Sequence, residues 1–383
     1  MNLESCIKCG SCKALCPTHI EEVTEGMSAR GRAILLNKLL NGDVPVTKKL
    51  NELISSCILC GACNKLCPLG INITDAVYEG RRVLRKFSDR KRLLSFFSKF
   101  IFKNPFIGFR ALKFIESIGS ALPIYRLQPF RTLEKLGLKF PDLSLRDGIS
   151  IFKVLNPKGR IALFAGCSVN FLYPNIGKSL INTLNAMKYD VILPKGESCC
   201  GAPLMGLGLK EEAAELAEKN INLFEKLNVE AVIGLCPTCV HFIKNEYKKL
   251  IGDGMANAME ISSFLKQTHE QISPKNNSNA KIFYHDPCHS IYSLNTSSEP
   301  RQILKSLGAE LIEPAEKGCC GFGGTFRLLY AELSDGILEK RLAGYRKADL
   351  IVTSCPNCII QLGSRIKDKP VKHIIEIIEE AIS

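Results

Sequence analysis

The sequence predicts an α-helical N-terminal domain holding two cysteine runs, followed by two tandem α/β cysteine-rich domains. Three observations carry that prediction. First, Cys6, Cys9, Cys12 and Cys16-Pro17 have the same spacing as Cys57, Cys60, Cys63 and Cys67-Pro68. Second, five cysteines, Cys167, Cys199, Cys200, Cys236 and Cys239, recur as Cys288, Cys319, Cys320, Cys355 and Cys358, with offsets of 119 to 121 residues. A fixed offset of that kind marks a tandem duplication. Third, apolar runs of strand length alternate with amphipathic stretches from Arg160 onward.

A chain of 383 residues holds two or three domains with ample apolar content for packed cores. Nine disulfides are one reading of its 18 cysteines. Disulfide-dense secreted domains are much smaller, however, and these spacings match metal motifs. The opening MNLESCIKCG has no apolar h-region, so no secretory signal is expected, and no long apolar run predicts a membrane span. Thiols reserved for metal clusters fit a cytoplasmic location.

Both N-terminal runs read C-x-x-C-x-x-C-x-x-x-C-P, the spacing of two-cluster ferredoxins. The short steps put three thiolates around one cube. The proline turns the chain away after the fourth, which serves the other cluster. The expected ligands are therefore Cys6, Cys9, Cys12 and Cys67 for one 4Fe-4S cluster, and Cys57, Cys60, Cys63 and Cys16 for the second. Two zinc sites are the blander alternative, although zinc sites rarely repeat such a run. Between the runs, SARGRAILLNKLL and VTKKLNELIS step their apolar residues by three and four. Residues 1–80 are thus expected to form an all-α ferredoxin domain.

Residues 81–158 read as a helical connector. Within it, residues 81–139 hold fifteen Lys or Arg against Asp89, Glu116 and Glu134, about +12 of the chain's net +13. Phenylalanines interleave in LLSFFSKFIFKNPFIGFRALKFIESIG, so a helix here is apolar on one side and basic on the other, as interfacial membrane helices are. Pro105, Pro123 and Pro129 divide it into short pieces. Three readings stand: docking on a membrane surface, docking on an acidic partner subunit, or phenylalanines packed on the neighbouring domains beneath solvated lysines. No nucleic-acid-reading module accompanies the charge. The first reading places the protein peripherally on the inner face of the cytoplasmic membrane.

The duplicated part divides at SPKNNSNA, Ser273 to Ala280, into residues 159–272 and 279–383. RIALFAGC and EAVIGLCPTC read as strands ending at Cys167 and Cys236, with EEAAELAEKNINLFEKL as a helix between them. The second copy repeats this with KIFYHDPC, a helix from Glu299 to Leu307, a long helical stretch near Phe326 to Tyr345, and ADLIVTSCPNC. Adjacent thiols diverge along the backbone and cannot easily serve one tetrahedral metal, but each can hold a different iron of one cluster. A fifth thiolate also exceeds what a closed zinc site takes. The expected cofactors are one or two further iron-sulfur clusters, non-cubane 4Fe-4S included, or zinc in one of the sites. The second cysteine of each CPxC pair is expected near a helix N-terminus, which favours thiolate.

These residues carry a resemblance. Over its full length, through CIKCGSCKALCPT, SARGRAILL, CILCGACNKLCP, the basic connector, YHDPCH and both CCG triplets with the terminal CPNC, the chain resembles glycolate oxidase iron-sulfur subunits. More broadly it is similar to lactate-utilisation and anaerobic glycerol-phosphate dehydrogenase iron-sulfur subunits, and to the heterodisulfide reductase subunit that fuses two ferredoxin motifs to two CCG domains. The resemblance implies an α-helical two-cluster ferredoxin domain followed by two tandem α/β cysteine-rich (CCG) domains. It also implies that an FAD-containing dehydrogenase partner oxidises a 2-hydroxy acid while this chain passes electrons towards membrane quinone. GFGGTF at Gly321–Phe326 follows CCG rather than a strand and lacks the dinucleotide spacing, so the flavin is expected on the partner. Both five-cysteine sets are complete, whereas some glycolate oxidase-type subunits have lost a cysteine of the first. That keeps open the alternative of a catalytic heterodisulfide reductase-like subunit. Mainly structural, zinc-holding CCG domains are a third reading.

No catalytic residue is assigned on this chain by sequence. His285 and His289 bracket Cys288 and are candidates for fixing the loop, delivering protons or ligating metal. Asp286 is expected to cap a turn before Pro287 and orient a histidine. Arg30 and Arg32 either place positive charge beside a cluster or are helix-surface charges. His19, His241, His269 and His373 are read as structural.

Overall fold

The duplicated segments fold into two sheets of one strand order. A computed structural model describes residues 2–87, 89–118, 132, 135–268 and 280–383. Strands β1 (Ile151–Phe152), β2 (Gly159–Phe164), β3 (Tyr189–Ile192), β4 (Ala231–Gly234) and β5 (Ala258–Glu260) form the first sheet, in the order β1-β3-β2-β4-β5. Strands β6 (Lys281–His285), β7 (Glu310–Ile312), β8 (Leu350–Thr353) and β9 (Val371–His373) form the second, in the order β7-β6-β8-β9. All pairs are parallel except β1 with β3. Without the antiparallel edge strand the two orders are the same.

Strands β3 and β4 are buried throughout, because helices cover both faces of a parallel sheet; β4 is accordingly an unbroken apolar run, while β3 carries the buried Asp190. The strand order switches sides about β2 in the first copy and β6 in the second. The carboxyl ends of the strands border a crevice at that point, and the cysteines follow those ends. One expected detail differs: β2 stops at Phe164, and Cys167 lies inside a short helix, Gly166–Phe171. A second does too. The helix expected over 326–345 is two helices, Thr325–Leu329 and Ala331–Glu339, parted by a non-helical Tyr330 at φ −131°.

The copies share a core. The helix Pro174–Ala186 lies on the C-terminal helix Ile374–Ile382, and Ile176, Leu180 and Leu184 join Ile374, Ile375 and Ile378 in one apolar layer. Each such side chain contributes roughly 1.5–3 kcal/mol when fully buried, so the two copies do not part cheaply.

The N-terminal domain is helical, as expected. Helices Ala29–Leu40, Lys48–Ser55 and Ile73–Leu84 start at Ser28, Thr47 and Asn72, whose side chains accept from Gly31 N, Leu50 N and Asp75 N. Leu36, Ile54, Ala76, Val77 and Leu84 fill the space between them.

In the connector, helices Asp89–Lys103 and Pro105–Ile118 are separated at Asn104, the break that Pro105 predicts. Leu94, Ser95 and Ser98 are buried, while Lys99 and Lys103 pair with Glu212 and Glu215 on the helix Lys210–Phe224. Leu93, Phe96, Phe97 and Phe100 are exposed. The packing reading is therefore reversed on the first helix, because two carboxylates draw its lysines inward. It holds on the second, where Phe106 and Phe109 lie 5.3 and 4.4 Å from Phe171. Pro123, Pro129, Glu134, His269 and residues 273–279 lie outside the described residues. Among the described residues no helix is long and apolar enough to cross a membrane.

Candidate iron-sulfur sites

The two N-terminal loops repeat an unusual backbone. Lys8 and Gly10 have φ of 59° and 87°, and the matching Leu59 and Gly61 have 61° and 80°. A non-glycine residue at positive φ is strained, and the strain recurs at the same step of each motif. Backbone turned this way points successive N–H groups into a concavity that suits an anionic cluster.

One buried hollow is lined by Cys57, Cys60, Cys63 and Cys16, together with Thr18 and Arg32. These are the four thiols expected for the second cluster, with Cys16 brought across from the first run. Burial pushes the Cys60 and Cys63 thiols up, with neighbouring thiolates adding to it. The first run stands at the surface. Cys9 is exposed, Cys6, Cys12 and Cys67 are half-buried, and Cys6 and Cys9 both act on Cys12.

The Cys-Cys-Gly sites are not separate. Cys167, Cys200, Cys236 and Cys239 of the first set and all five of the second line a single cavity of about 110 Å³. In the first, neighbouring Cys167 and Cys200 push the Cys199 thiol well up. In the second, Cys288 and Cys320 do the same to Cys319, and the Cys320 and Cys358 sulfurs are 3.3 Å apart. Across the copies, Cys236 and Cys355 act on each other. Asn357 donates to Cys236 Sγ at 3.7 Å and accepts from Ser168 at 2.9 Å, another link between the copies. All 18 cysteines are free, so the disulfide reading finds no support.

Thiols this crowded divide their protons. Cys200, Cys236 and Cys320 are held well below the ordinary thiol value by hydrogen bonds from neighbouring thiols. Cys288 is lowered to about 5, by Cys319 first and by His289. Cys239 and Cys358 do sit in the first turn of helices Pro237–His241 and Pro356–Arg365. They are nevertheless pushed well up, because each donates to two neighbouring sulfurs, Cys200 and Cys236 or Cys320 and Cys355. The expected thiolate preference from the helix terminus is overridden by contact with sulfur.

The histidines separate by role. His285 is buried with Nε2 unpartnered, and its ring nitrogen lies within 4.8 Å of the Cys320 and Cys358 sulfurs, so it can join those ligands. His289 bonds Thr238 at 3.0 Å and reaches Cys288 Sγ at 4.0 Å. His241, read as structural, stacks on His289 with centroids 5.3 Å apart and pairs with Glu246 at 3.4 Å. His373 is a helix cap, accepting from Ile375 N, with Nε2 on Leu235 O. Asp286 orients no histidine: both its oxygens are taken by Arg301, at 2.8 and 2.5 Å. Arg30 is a half-buried partner of Glu25, whereas Arg32 is buried with Nη1 4.0 Å from Cys16 Sγ.

Five contributing residues were missed by sequence reasoning. Buried Arg146 and Glu197 pair at 3.1 Å, and Glu197 accepts from Ala165 N and Gly166 N, fixing the loop before Cys199 to the one before Cys167. Asn357 and Thr238 are the middle residues of the two CPxC turns, a position that could have flagged them. Arg81, buried, donates to Ser55 O, Cys57 O and Gly206 O.

The N-terminal hollow offers four thiols and no carboxylate, a donor set suited to a 4Fe-4S cluster, and each Cys-Cys-Gly site offers five. Comparisons with known proteins agree. A model of a 4Fe-4S dicluster domain matches residues 2–71, and a model of a cysteine-rich domain, CCG, matches residues 161–244 and 282–363. The chain is 28% identical over 395 residues to a probable glycolate oxidase iron-sulfur subunit of Bacillus subtilis, covering 94% of this chain and 88% of that one. It is 24% identical to a dihydromethanophenazine:CoB--CoM heterodisulfide reductase subunit of Methanosarcina mazei, over 100% and 94% of the two chains. A crystal structure of a hypothetical protein from Helicobacter pylori shares the fold, with a TM-score of 0.53 at 12% identity over 92% of this chain and 68% of that one.

Proposed function

Because the chain belongs to the iron-sulfur proteins that join a 4Fe-4S dicluster domain to tandem CCG cysteine-rich domains, we propose that it is the electron-carrying subunit of a flavin-linked 2-hydroxy-acid dehydrogenase of glycolate or lactate type. An FAD-containing partner oxidises the substrate, and the electrons leave towards membrane quinone. One observation carries the reading: Cys60 of the N-terminal domain packs beside Cys288 and Cys319 of the second CCG site, closely enough for Cys288 to act on its thiol.

Iron-sulfur clusters, when bound at these cysteines, would supply one-electron transfer. The chain's own residues do the rest. Cys6, Cys9, Cys12 and Cys67 hold the outer group at the surface, where exposed Ile7 and Leu15 offer a partner an apolar footing. Cys16, Cys57, Cys60 and Cys63 hold the inner group out of water. Cys167, Cys199, Cys200, Cys236 and Cys239 hold one CCG group, and Cys288, Cys319, Cys320, Cys355 and Cys358 the other. Ile58 and Leu59 close the shared cavity from the N-terminal side. His285 and His289 are the candidates to carry protons there. The exposed Phe96 and Phe100 on a basic helix fit peripheral attachment to the inner face of the membrane.

Anaerobic mixing with glycolate or lactate and the co-purified flavoprotein tests this. Cluster reduction that needs both substrate and flavoprotein is expected; reduction without the flavoprotein refutes it. A second reading, a thiol–disulfide oxidoreductase, is favoured by the shared cavity alone. Reduction of a heterodisulfide by the isolated chain with a chemical donor, together with about sixteen irons per chain, would select it. About eight irons with zinc would remove it.

A further inference from the structure

Two buried arginines flank the inner N-terminal cysteines with no counter-charge of their own: Arg32 lines the hollow, and Arg81 donates to the carbonyl of Cys57 on its wall. Arg32 is 1% exposed and lines the hollow. It donates to Leu53 O, Thr18 Oγ1, Met27 O and Ser56 Oγ, all neutral acceptors, and approaches Cys16 Sγ. Arg81 is 6% exposed and donates only to backbone carbonyls, among them Cys57 O, while its Nε has no partner. Among the described residues neither arginine forms an ion pair with a carboxylate. Each follows a glycine, Gly31 and Gly80, so the two halves of the domain present the same device.

Burying a guanidinium without an anion is strongly unfavourable, and burying two that repel each other is worse. Burial, and in smaller part the nearby charge of Arg32, pushes the Arg81 guanidinium below its ordinary value. The arrangement calls for a buried anion between them, and the only anionic groups lining that hollow among the described residues are cysteine thiolates. The outer site differs. Arg30, beside that site, is half-buried and already paired with Glu25 at 2.8 Å, which offsets its charge.

Resting on the assignment of two N-terminal 4Fe-4S clusters, we propose that Arg32 and Arg81 are positioning residues that raise the reduction potential of the inner cluster above that of the outer one. A fixed positive charge in a low-dielectric site favours the state with one more electron. Electrons entering at the exposed outer site are thereby drawn inward, to the cluster beside Cys288. This gives the series a direction that cysteine spacing alone cannot.

The test is an anaerobic potentiometric titration of the full chain, followed by electron paramagnetic resonance, on wild type and on Arg32→Gln, Arg81→Gln, Arg32→Lys and Arg81→Lys. Both Gln variants should shift one midpoint downward and leave the other in place, and the Lys variants should keep most of the wild-type value. If a Gln variant loses about four irons while its Lys counterpart keeps them, the same charge dependence is seen as occupancy. An unchanged inner midpoint in iron-replete Gln variants overturns the proposal. So does equal loss in the Gln and Lys forms, which marks a purely structural role. A wild type lacking two N-terminal cluster signals overturns the underlying assignment instead, and is recognised before any variant is made.

Discussion

Replacing Gly321 by alanine should damage the second CCG site far more than the same change at Gly201 damages the first. Both glycines follow the paired cysteines, and both have φ of 90°, in the left-handed region. That conformation alone costs alanine about 1–2 kcal/mol. The surroundings differ. A Cβ on Gly321 would lie 2.6 Å from the backbone oxygen of Ser334, which cannot swing aside because Ser334 Oγ donates to Gly321 O at 2.6 Å. Forcing that helix away adds about 1–3 kcal/mol of overpacking, for a total of roughly 2–5 kcal/mol. A Cβ on Gly201 meets Ala213 at 3.4 Å, ordinary contact, so only the dihedral cost remains. Metal content and thermal midpoint, measured under argon on both variants, read the difference. Gly321→Ala should lose metal from one CCG site and melt clearly lower, while Gly201→Ala stays close to wild type. Equal effects, or a harmless Gly321→Ala, would refute the reasoning from the Ser334 contact.

Three further outcomes are expected. His373 is held at about 4, below its ordinary 6.5, chiefly by burial. The unfolded chain takes up that proton first as pH falls, so stability is intact above pH 6.5 and is lost between 6.5 and 4. The gap amounts to about 3 kcal/mol, and His373→Asn should flatten that part of a pH–denaturation curve. Arg146→Met strands the buried Glu197 carboxylate at a cost of about 3–5 kcal/mol; adding Glu197→Gln should recover much of it, as denaturant midpoints will reveal. Phe96→Asp and Phe100→Asp alter exposed side chains and should leave folding within about 0.5 kcal/mol. Each should weaken co-sedimentation with anionic phospholipid vesicles at least about tenfold, and unchanged partitioning counts against membrane docking through this helix.

The domain types were legible because metal motifs are local. Spacings of two and three residues fix which sulfurs can converge, and a duplication shows as a constant offset. The central strands β2, β4, β6 and β8 were legible for a related reason, since strands buried on both faces leave apolar runs; β1, β3, β5, β7 and β9, two to four residues long, were not foreseen. Local reasoning failed where a distant partner competed. Asp286 looked like a turn cap, yet Arg301 on the following helix takes both its oxygens. The sequence left open whether the connector's aromatic side docks outward or packs inward; on the first helix its lysines found Glu212 and Glu215, and Phe96 and Phe100 stand outward. Amphipathicity tells which faces differ, not which one is covered.

What sequence could least supply is the seam between the N-terminal domain and the CCG pair. Cys60 reaches Cys288 because Gly61 fits against Tyr292 and Ser293, and because Lys65 holds Asn295 at 2.7 Å, on the π-helical turn that follows Cys288. Arg81 belongs to the same seam: one arm holds the carbonyls beside Cys57, and the other holds Gly206 of the first CCG domain. The residue that would bias the inner cluster is thus also one that fastens the two halves. Removing only its charge, as Arg81→Gln does against Arg81→Lys, separates those duties. A guanidinium spent purely on docking would show its loss as altered domain packing with an unchanged midpoint. One retained for its charge would move the midpoint while the domains stay joined.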